Sequence, residues 1–151
     1  RVALRMAVSV GDSIPLDIPV FIDGEEKKSK DVLEGKTVAI CAIPGALTPT
    51  CSNKHVPSFI DKADELKQKG IDDIYVIAVN DPFVMKAFAE KLGGEGKVKM
   101  IADGNAEFTK AIGLTKDTGN FGGLRSHRYS MIATNGTVLK LNVDTEGYQN
   151  S

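Results

Sequence analysis

The chain of 151 residues contains only two cysteines, Cys41 and Cys51. Two thiols cannot build the disulfide framework of a small secreted domain, and thiols alone cannot complete a four-ligand zinc site here. A charge surplus is also lacking, since 19 basic residues face 20 acidic ones. This balance excludes broad binding to nucleic acid or to an anionic membrane. No apolar run approaches the ~18–20 residues that a membrane-spanning helix needs.

The composition that remains is that of an ordinary globular protein. Hydrophobic residues make up 42% and charged residues 26% of the sequence, which are typical shares. The length suits one domain with a real core, and we predict a single domain over residues 1–151. The sequence shows no cluster with metal-ligand spacing, and its glycine-rich segment lacks a phosphate-binding pattern. We therefore predict neither a metal nor a cofactor.

Apolar runs and one turn motif predict the strands. The runs K-T-V-A-I-C-A-I and D-I-Y-V-I-A-V-N are nearly continuous, which favours strands buried on both faces. Asn135-Gly136 is the strongest short hairpin signal and separates the last two strands. The predicted strands span residues 36–43, 73–80, 98–102, 126–134 and 137–143. Residues 11–21 are predicted to be an extended lead-in, and residues 113–124 a glycine-rich loop.

Helical spacing of apolar residues predicts three helices, at residues 51–69, 82–92 and 106–112. Pro57 should kink the first of them, and Gly70 should end it. The order β-α-β-α-β followed by β-β gives parallel strands with right-handed crossovers and a final antiparallel hairpin. The sequence therefore predicts an α/β protein of the thioredoxin-like kind, with a mixed central sheet flanked by helices.

The segment P-G-A-L-T-P-T-C, from Pro44 to Cys51, indicates a reactive thiol. Thr48 can act as the N-cap of the predicted helix, and Pro49 suits its first position. Cys51 then lies in the first turn, where unpaired N–H groups and the positive end of the helix dipole favour an anion. A thiol held there ionises more readily than a free one, so we expect Cys51 to be a nucleophile.

The same segment resembles the P-x-x-x-T-x-x-C signature of the peroxiredoxins. The fuller string P-G-A-L-T-P-T-C-S-N-K-H-V-P-S-F is similar to the type II, or peroxiredoxin-5-like, subfamily. So are V-N-D-P-F-V at 79–84, D-G-N at 103–105 and R-Y-S-M at 128–131. The resemblance runs in order from about Gly11 to Val143. It implies the peroxiredoxin variant of the thioredoxin-like fold and an enzyme that reduces hydrogen peroxide and alkyl hydroperoxides in antioxidant defence.

The resemblance also implies roles for particular residues. Cys51 is the peroxidatic cysteine, and Thr48 and Arg128 complete the catalytic set. Three further residues match positions that line the substrate pocket in the family, and we expect the same role for Pro44, Gly45 and Phe121. Loop packing is the alternative for Phe121. Arg125 lies close to Arg128 in the sequence and is the alternative candidate for the arginine of the site. A loop-supporting role fits Arg125 better.

We expect the regeneration of Cys51 to differ from that in many relatives of the family, because those relatives carry a second, resolving cysteine. The sequence after Cys51 contains none, and Cys41 lies in a predicted core strand where structural burial is expected. We therefore expect a 1-Cys mechanism with an external reductant, either glutathione with glutaredoxin or thioredoxin. The resemblance implies a homodimer and a final helix beyond the last strand that this sequence lacks. We expect a cytoplasmic location, with a mitochondrion or plastid as the alternative after loss of a targeting segment.

Three other functions remain open at this point. A thioredoxin-like dithiol oxidoreductase suits the fold, but Cys51-Ser52-Asn53-Lys54 lacks the second cysteine of a C-x-x-C motif. A Cys–His hydrolase could use His55 or His127, although a packing or solvated role is expected for both histidines. The third is a redox-sensing or chaperone-like binding protein, in which Cys51 oxidises without repeated turnover.

Overall fold

The computed structural model describes residues 7–46, 56–93 and 97–144. Their strands are β1 (Pro19–Ile22), β2 (Glu25–Lys28), β3 (Thr37–Ala42), β4 (Asp73–Ala78), β5 (Lys99–Ala102), β6 (Thr115–Asp117), β7 (Leu124–Ser126), β8 (Arg128–Thr134) and β9 (Thr137–Asp144). Their helices are α1 (Ser29–Leu33), α2 (Val56–Asp61), α3 (Ala63–Gln68), α4 (Pro82–Leu92), α5 (Glu107–Ala111) and a 3-10 helix (Gly119–Phe121). None of these helices is long and apolar enough to cross a membrane.

A seven-stranded sheet in the order β2-β1-β5-β4-β3-β8-β9 organises the fold. The three central strands β3, β4 and β5 are parallel. The strands on either side pair antiparallel, so the predicted mixed sheet is confirmed. The parallel centre requires crossover connections, and α4 runs between β4 and β5 as expected for such a unit.

Helices cover both faces of the sheet. On one face, α1 and α5 contribute Leu33 and Phe108 to a core that includes Ile40. On the other face, α2, α3 and α4 pack over Cys41 and bury side chains such as Phe88. Because successive residues of β3 enter opposite cores, both sets must be apolar. This double burial explains the nearly continuous apolar run in that strand.

Several elements begin and end where local sequence signals, such as helix caps and turn residues, predict. Helix α4 has the predicted ends, with the Asp81 side chain accepting a hydrogen bond from Val84 N at 2.9 Å as N-cap. Gly93 ends this helix in the left-handed conformation, at φ 69°. The final hairpin turns at Asn135 and Gly136, which both have positive φ, as a two-residue hairpin loop requires.

The predicted kink at Pro57 stays a prediction, because the turn before Pro57 lies outside the described residues. The described helices α2 and α3 are separated at Lys62, with φ −92° and ψ 1°. There the Lys62 N–H is shared between the carbonyls of Ser58 and Phe59, at 3.3 and 3.2 Å. A shared donor of this kind marks a tightened turn rather than a proline break.

Two predicted irregular segments contain regular structure. The extended lead-in ends in β1, which turns at Asp23-Gly24 into β2, a D-G hairpin signal that the sequence prediction passed over. The expected loop over residues 113–124 contains β6 and the 3-10 helix, and β6 pairs with β7. Strand β6 was missed because its three residues, T-K-D, are polar and show no apolar alternation.

Candidate active site

The candidate site lies at the carboxyl ends of the parallel strands. β3 leads into Ile43 and Pro44, β4 into Val79 and Asn80, and β5 into Asp103. In open α/β sheets, ligands bind outside this edge because the strand-to-helix loops converge there. Pro44 is half-buried here. Pro44, one of the residues that the sequence singled out, therefore lies at the edge where such a fold places its chemistry.

The segment between β3 and α2, residues 43–55, is called the cysteine loop below. Cys51, Thr48 and His55 lie outside the described residues, so their predicted roles stay predictions. The residues on either side of them are described. Gly45 is buried at its start, and Val56, directly after it, has no exposed surface and packs in the same core as Ile43. Both ends of the loop are thus fixed against one face of the sheet.

Arg128 is placed on that same face. It is the first residue of β8 and is only 5% exposed. Its strand neighbours Tyr129 and Met131 enter the core under α1 and α5. Alternation therefore directs Arg128 to the opposite face, where Ile132 packs against the core that holds Val56. The structure brings the predicted arginine and the helix that follows Cys51 to one side of the sheet.

Arg125 supports a different part of the site. Its Nε donates to the Gly122 carbonyl at 3.0 Å, and its Nη1 approaches the Val79 carbonyl at 3.4 Å. The side chain thus joins the glycine-rich segment to the end of β4, in agreement with a loop-supporting role. Phe121, in the 3-10 helix of that segment, is 75% exposed. Its ring does not close a pocket within the described chain, and its predicted pocket role stays a prediction.

Asn80 was missed by the sequence reasoning, although it lies in the V-N-D-P-F-V motif. Its side-chain Oδ1 accepts a hydrogen bond from the backbone N–H of Ala46 at 3.1 Å. The bond joins the end of β4 to the start of the cysteine loop. Only the motif itself could have signalled this residue, because the contact spans 34 positions.

A buried carboxylate stabilises the turn after β5. Asp103 is 2% exposed and accepts hydrogen bonds from the N–H groups of Phe108 and Thr109, at 3.0 and 2.8 Å. The Thr109 hydroxyl donates to the same side chain at 2.7 Å. These bonds satisfy orphan N–H groups of α5 and hold its first turn against the sheet. The D-G-N motif thus has a structural role in positioning this edge.

Two titratable groups on and beside β8, Tyr129 and His127, have shifted pKa values. Burial, with a smaller contribution from Asp103, raises the pKa of the Tyr129 phenol far above its usual value. Burial and the nearby Lys116 lower the pKa of His127, whose backbone N–H donates to the Leu114 carbonyl at 2.8 Å. A neutral, backbone-anchored His127 fits the expected packing role. Cys41 is fully buried in β3, which confirms the expected burial.

The described ranges contain no group of three or more His, Cys, Asp or Glu side chains that could hold a metal ion. Among the described residues, Arg128 is a buried cation on the face of the sheet to which the cysteine loop is anchored. A positioned cation stabilises an anion that forms or grows during a reaction. A thiolate and a developing alkoxide or hydroxide are anions of this kind.

Comparisons with known proteins agree with this arrangement. The chain matches the Redoxin family over residues 9–150. It is 45% identical over 145 residues to Peroxiredoxin-2C of Oryza sativa subsp. japonica, covering 93% of this chain and 90% of the relative. It is 42% identical to Peroxiredoxin-2E, chloroplastic, of Arabidopsis thaliana, covering 93% of this chain and 64% of that relative.

Solved structures show the same fold. The reduced Prx3 of Vibrio vulnificus in complex with H2O2 superposes with a TM-score of 0.88 at 45% identity, covering 93% of this chain and 90% of that one. The Plasmodium falciparum antioxidant protein, a 1-Cys peroxiredoxin, superposes with a TM-score of 0.85 at 30% identity, covering 92% and 86% of the two chains. The thioredoxin-like fold predicted from the sequence is confirmed.

Proposed function

Because the chain belongs to the peroxiredoxin family, whose members are thiol peroxidases, we propose that Cys51 reduces hydroperoxides in a 1-Cys cycle completed by an external thiol. The observation that carries the proposal is the burial of Arg128 on the face of the sheet to which the cysteine loop is anchored. Hydrogen peroxide is the expected first substrate, since the 45% identical Vibrio relative binds it. Small alkyl hydroperoxides are the expected second class.

The proposed chemical step is a substitution at oxygen. The Cys51 thiolate attacks the terminal peroxide oxygen, a sulfur–oxygen bond forms and the oxygen–oxygen bond breaks. The departing oxygen leaves as an alkoxide or hydroxide and takes up a proton, giving an alcohol or water. The cysteine is oxidised to a sulfenic acid, and the peroxide is reduced by two electrons.

The proposed roles of the other residues follow from where charge moves in that step. Arg128 offers a permanent positive charge and a planar set of donors to the thiolate and to the oxygen that becomes negative. The Thr48 hydroxyl can both accept from the peroxide and donate to the thiolate. Pro44 and Gly45 shape the entrance of the loop and help to exclude water. Interactions that strengthen in the transition state are those that raise the rate.

Regeneration requires a second reaction. A reduced thiol attacks the sulfenic sulfur, forms a mixed disulfide and releases water, and a further thiol then frees Cys51. The burial of Cys41 in the sheet opposes its use as an internal resolving thiol, since its approach to Cys51 would require local unfolding. Glutathione with glutaredoxin, or thioredoxin, is the proposed reductant. The similarity to a 1-Cys peroxiredoxin of Plasmodium falciparum supports this cycle.

Association and location are also proposed. Phe83 and Phe121 are 83% and 75% exposed on the single chain. Large exposed aromatic side chains are typical of protein interfaces, and they support the expected homodimer of single-domain subunits. The location is proposed to be cytoplasmic. The chloroplastic relative keeps the plastid as the alternative.

Peroxide consumption with each reductant tests the proposal. Wild type should turn over repeatedly, and Cys51→Ser should lose all turnover, because the attacking sulfur is gone. Cys41→Ser is the matched control and should keep the wild-type rate. Mass spectrometry after one equivalent of peroxide should show Cys51 sulfenic acid or its mixed disulfide. A Cys41–Cys51 disulfide as the main product would contradict the 1-Cys cycle, and oxidation without repeated turnover would indicate a sensor.

A further inference from the structure

We propose that Asn80 is a positioning residue for the peroxidase reaction, which it serves by holding the start of the cysteine loop through its side-chain carbonyl. The inference rests on the proposed role of Cys51. It assigns a function to the V-N-D-P-F-V motif, which the peroxide chemistry described above does not use.

Two hydrogen bonds between described residues join the start of the cysteine loop to β4 and the residues after it. The Ile43 N–H donates to the Ile77 carbonyl at 3.1 Å, and the Ala46 N–H donates to Asn80 Oδ1, also at 3.1 Å. The first bond joins two backbones and simply extends the pairing of β3 with β4. The second depends on a side chain, so one substitution can remove it without touching the sheet.

Asn80 is itself held on both sides, which makes it a rigid support. The carbonyl of Ala78, two residues before it, accepts a hydrogen bond from the Asp103 N–H at 3.0 Å. The carbonyl of Val79 is approached by Arg125 Nη1 at 3.4 Å. Asp81, just after it, caps α4. The backbone of Asn80 is therefore fixed between a strand and a helix, and its amide can impose that position on the loop.

The far end of the loop is anchored differently. Val56 has no exposed surface and packs in the core beside Ile43. Thr48 and Cys51 lie between this anchor and Ala46. Without the Asn80 bond, the burial of Ile43 and its backbone bond to Ile77 remain, but the Ala46 N–H, two residues before Thr48 in the sequence, is no longer held to the end of β4. A displacement of about 1 Å at reacting atoms can cost about 100-fold in rate.

Two substitutions separate position from charge. Asn80→Ala removes the acceptor and leaves the Ala46 N–H without this partner. Asn80→Asp keeps an oxygen acceptor in place but adds a negative charge beside the loop, which should raise the pKa of the Cys51 thiol. Asn105→Ala is the matched control, because the amide of Asn105 makes an exposed, local bond to Glu107 Oε2 at 2.8 Å.

The test measures three quantities for wild type and these variants. They are the rate constant for hydrogen peroxide reduction, the pH dependence of Cys51 alkylation by iodoacetamide, followed by mass spectrometry, and the thermal midpoint. We expect Asn80→Ala to slow peroxide reduction by about 10- to 100-fold, with Asn105→Ala at the wild-type rate. A purely structural asparagine would lower the thermal midpoint and leave the rate and the alkylation profile unchanged, which overturns the inference.

Two further outcomes would also decide whether Asn80 is a positioning residue. If Asn80→Ala does not fold, Asn80→Ser carries the test, because the shorter side chain cannot reach the Ala46 N–H: slower peroxide reduction supports the inference, and an unchanged rate overturns it. If wild type does not reduce peroxide, the proposed function fails, and the alkylation profile alone then decides about Asn80. An alkylation profile equal in wild type and Asn80→Ala would end the inference in that case.

Discussion

Replacing Gly122 with alanine should destabilise the protein through one neighbour, the guanidinium of Arg125. A Cβ atom built at Gly122 would lie 2.6 Å from Nη2, 2.7 Å from Nε and 3.0 Å from Cζ of Arg125. Gly122 has φ −167° and ψ 14°, so it does not use the left-handed backbone that favours glycine. The cost of the substitution is therefore expected to come mainly from displacing Arg125.

The size of the effect follows from the bonds that Arg125 makes. Its Nε bond to the Gly122 carbonyl is 3.0 Å long, and its Nη1 contact with the Val79 carbonyl is stretched to 3.4 Å. A hydrogen bond from a charged group contributes about 1.5–3 kcal/mol net, and a long one contributes less. Losing both should cost about 2 kcal/mol, which lowers the thermal midpoint by about 4–8 °C in a domain of this size.

Urea unfolding of four proteins tests this reasoning: wild type, Gly122→Ala, Arg125→Ala and the double variant. Since the added methyl group acts mainly through Arg125, it should cost less than about 0.5 kcal/mol once that side chain is gone. Gly104→Ala is the control, because its Cβ would meet Asn80 O at 3.7 Å and Asp81 Cα at 4.0 Å, both ordinary contact distances. An equal cost of Gly122→Ala in both backgrounds would refute the argument.

Two further predictions concern β8. Arg128→Ala should slow peroxide reduction and raise the pKa of the Cys51 thiol, measured from the pH dependence of alkylation; unchanged kinetics would reassign Arg128 to structure. Tyr129→Phe removes a buried hydroxyl that has no hydrogen-bond partner among the described residues, so the free energy of unfolding at neutral pH should stay equal or rise by about 1 kcal/mol. Because the folded pKa of Tyr129 is raised above 10.0, the unfolded phenol ionises first as pH rises. Wild type should lose up to about 1.4 kcal/mol per pH unit above pH 10 through this group, and a Tyr129→Phe variant with the same slope would contradict the assignment.

The sequence predicted well those elements whose signal is local, or whose residues must be apolar because both faces of the strand are buried. β3 and β4 are buried on both faces, so nearly every residue must be apolar, and the run is visible without knowledge of the partners. The final hairpin is determined by Asn135-Gly136, whose backbone angles few other residues adopt. By contrast, β6 is a short polar strand that exists only because β7 lies beside it.

The residues of the candidate site also fall into two groups, those that the sequence predicted and those that it did not. The cysteine motif and Arg128 were predicted through family resemblance, because their chemistry restricts residue type strongly. Asn80 and Arg125 act through single contacts to backbone groups of distant segments, Ala46 and Val79. Many residue types occur at strand ends, and no spacing rule links positions that meet only after folding. Such supporting residues become visible only when the sheet order is known.

Arg128 shows how fold and chemistry depend on each other here. A guanidinium stays charged at any accessible pH, and burying one costs several kcal/mol unless negative groups compensate for it. Asp144 lies directly opposite it in the β8–β9 register. Under the proposed function, the Cys51 thiolate is a second anion near Arg128, and a neutral thiol is not. The buried cation then favours the ionised cysteine, and by linkage the ionised cysteine favours the folded state that buries the cation. The stability of the protein and the readiness of its nucleophile should consequently change together when Arg128 is altered.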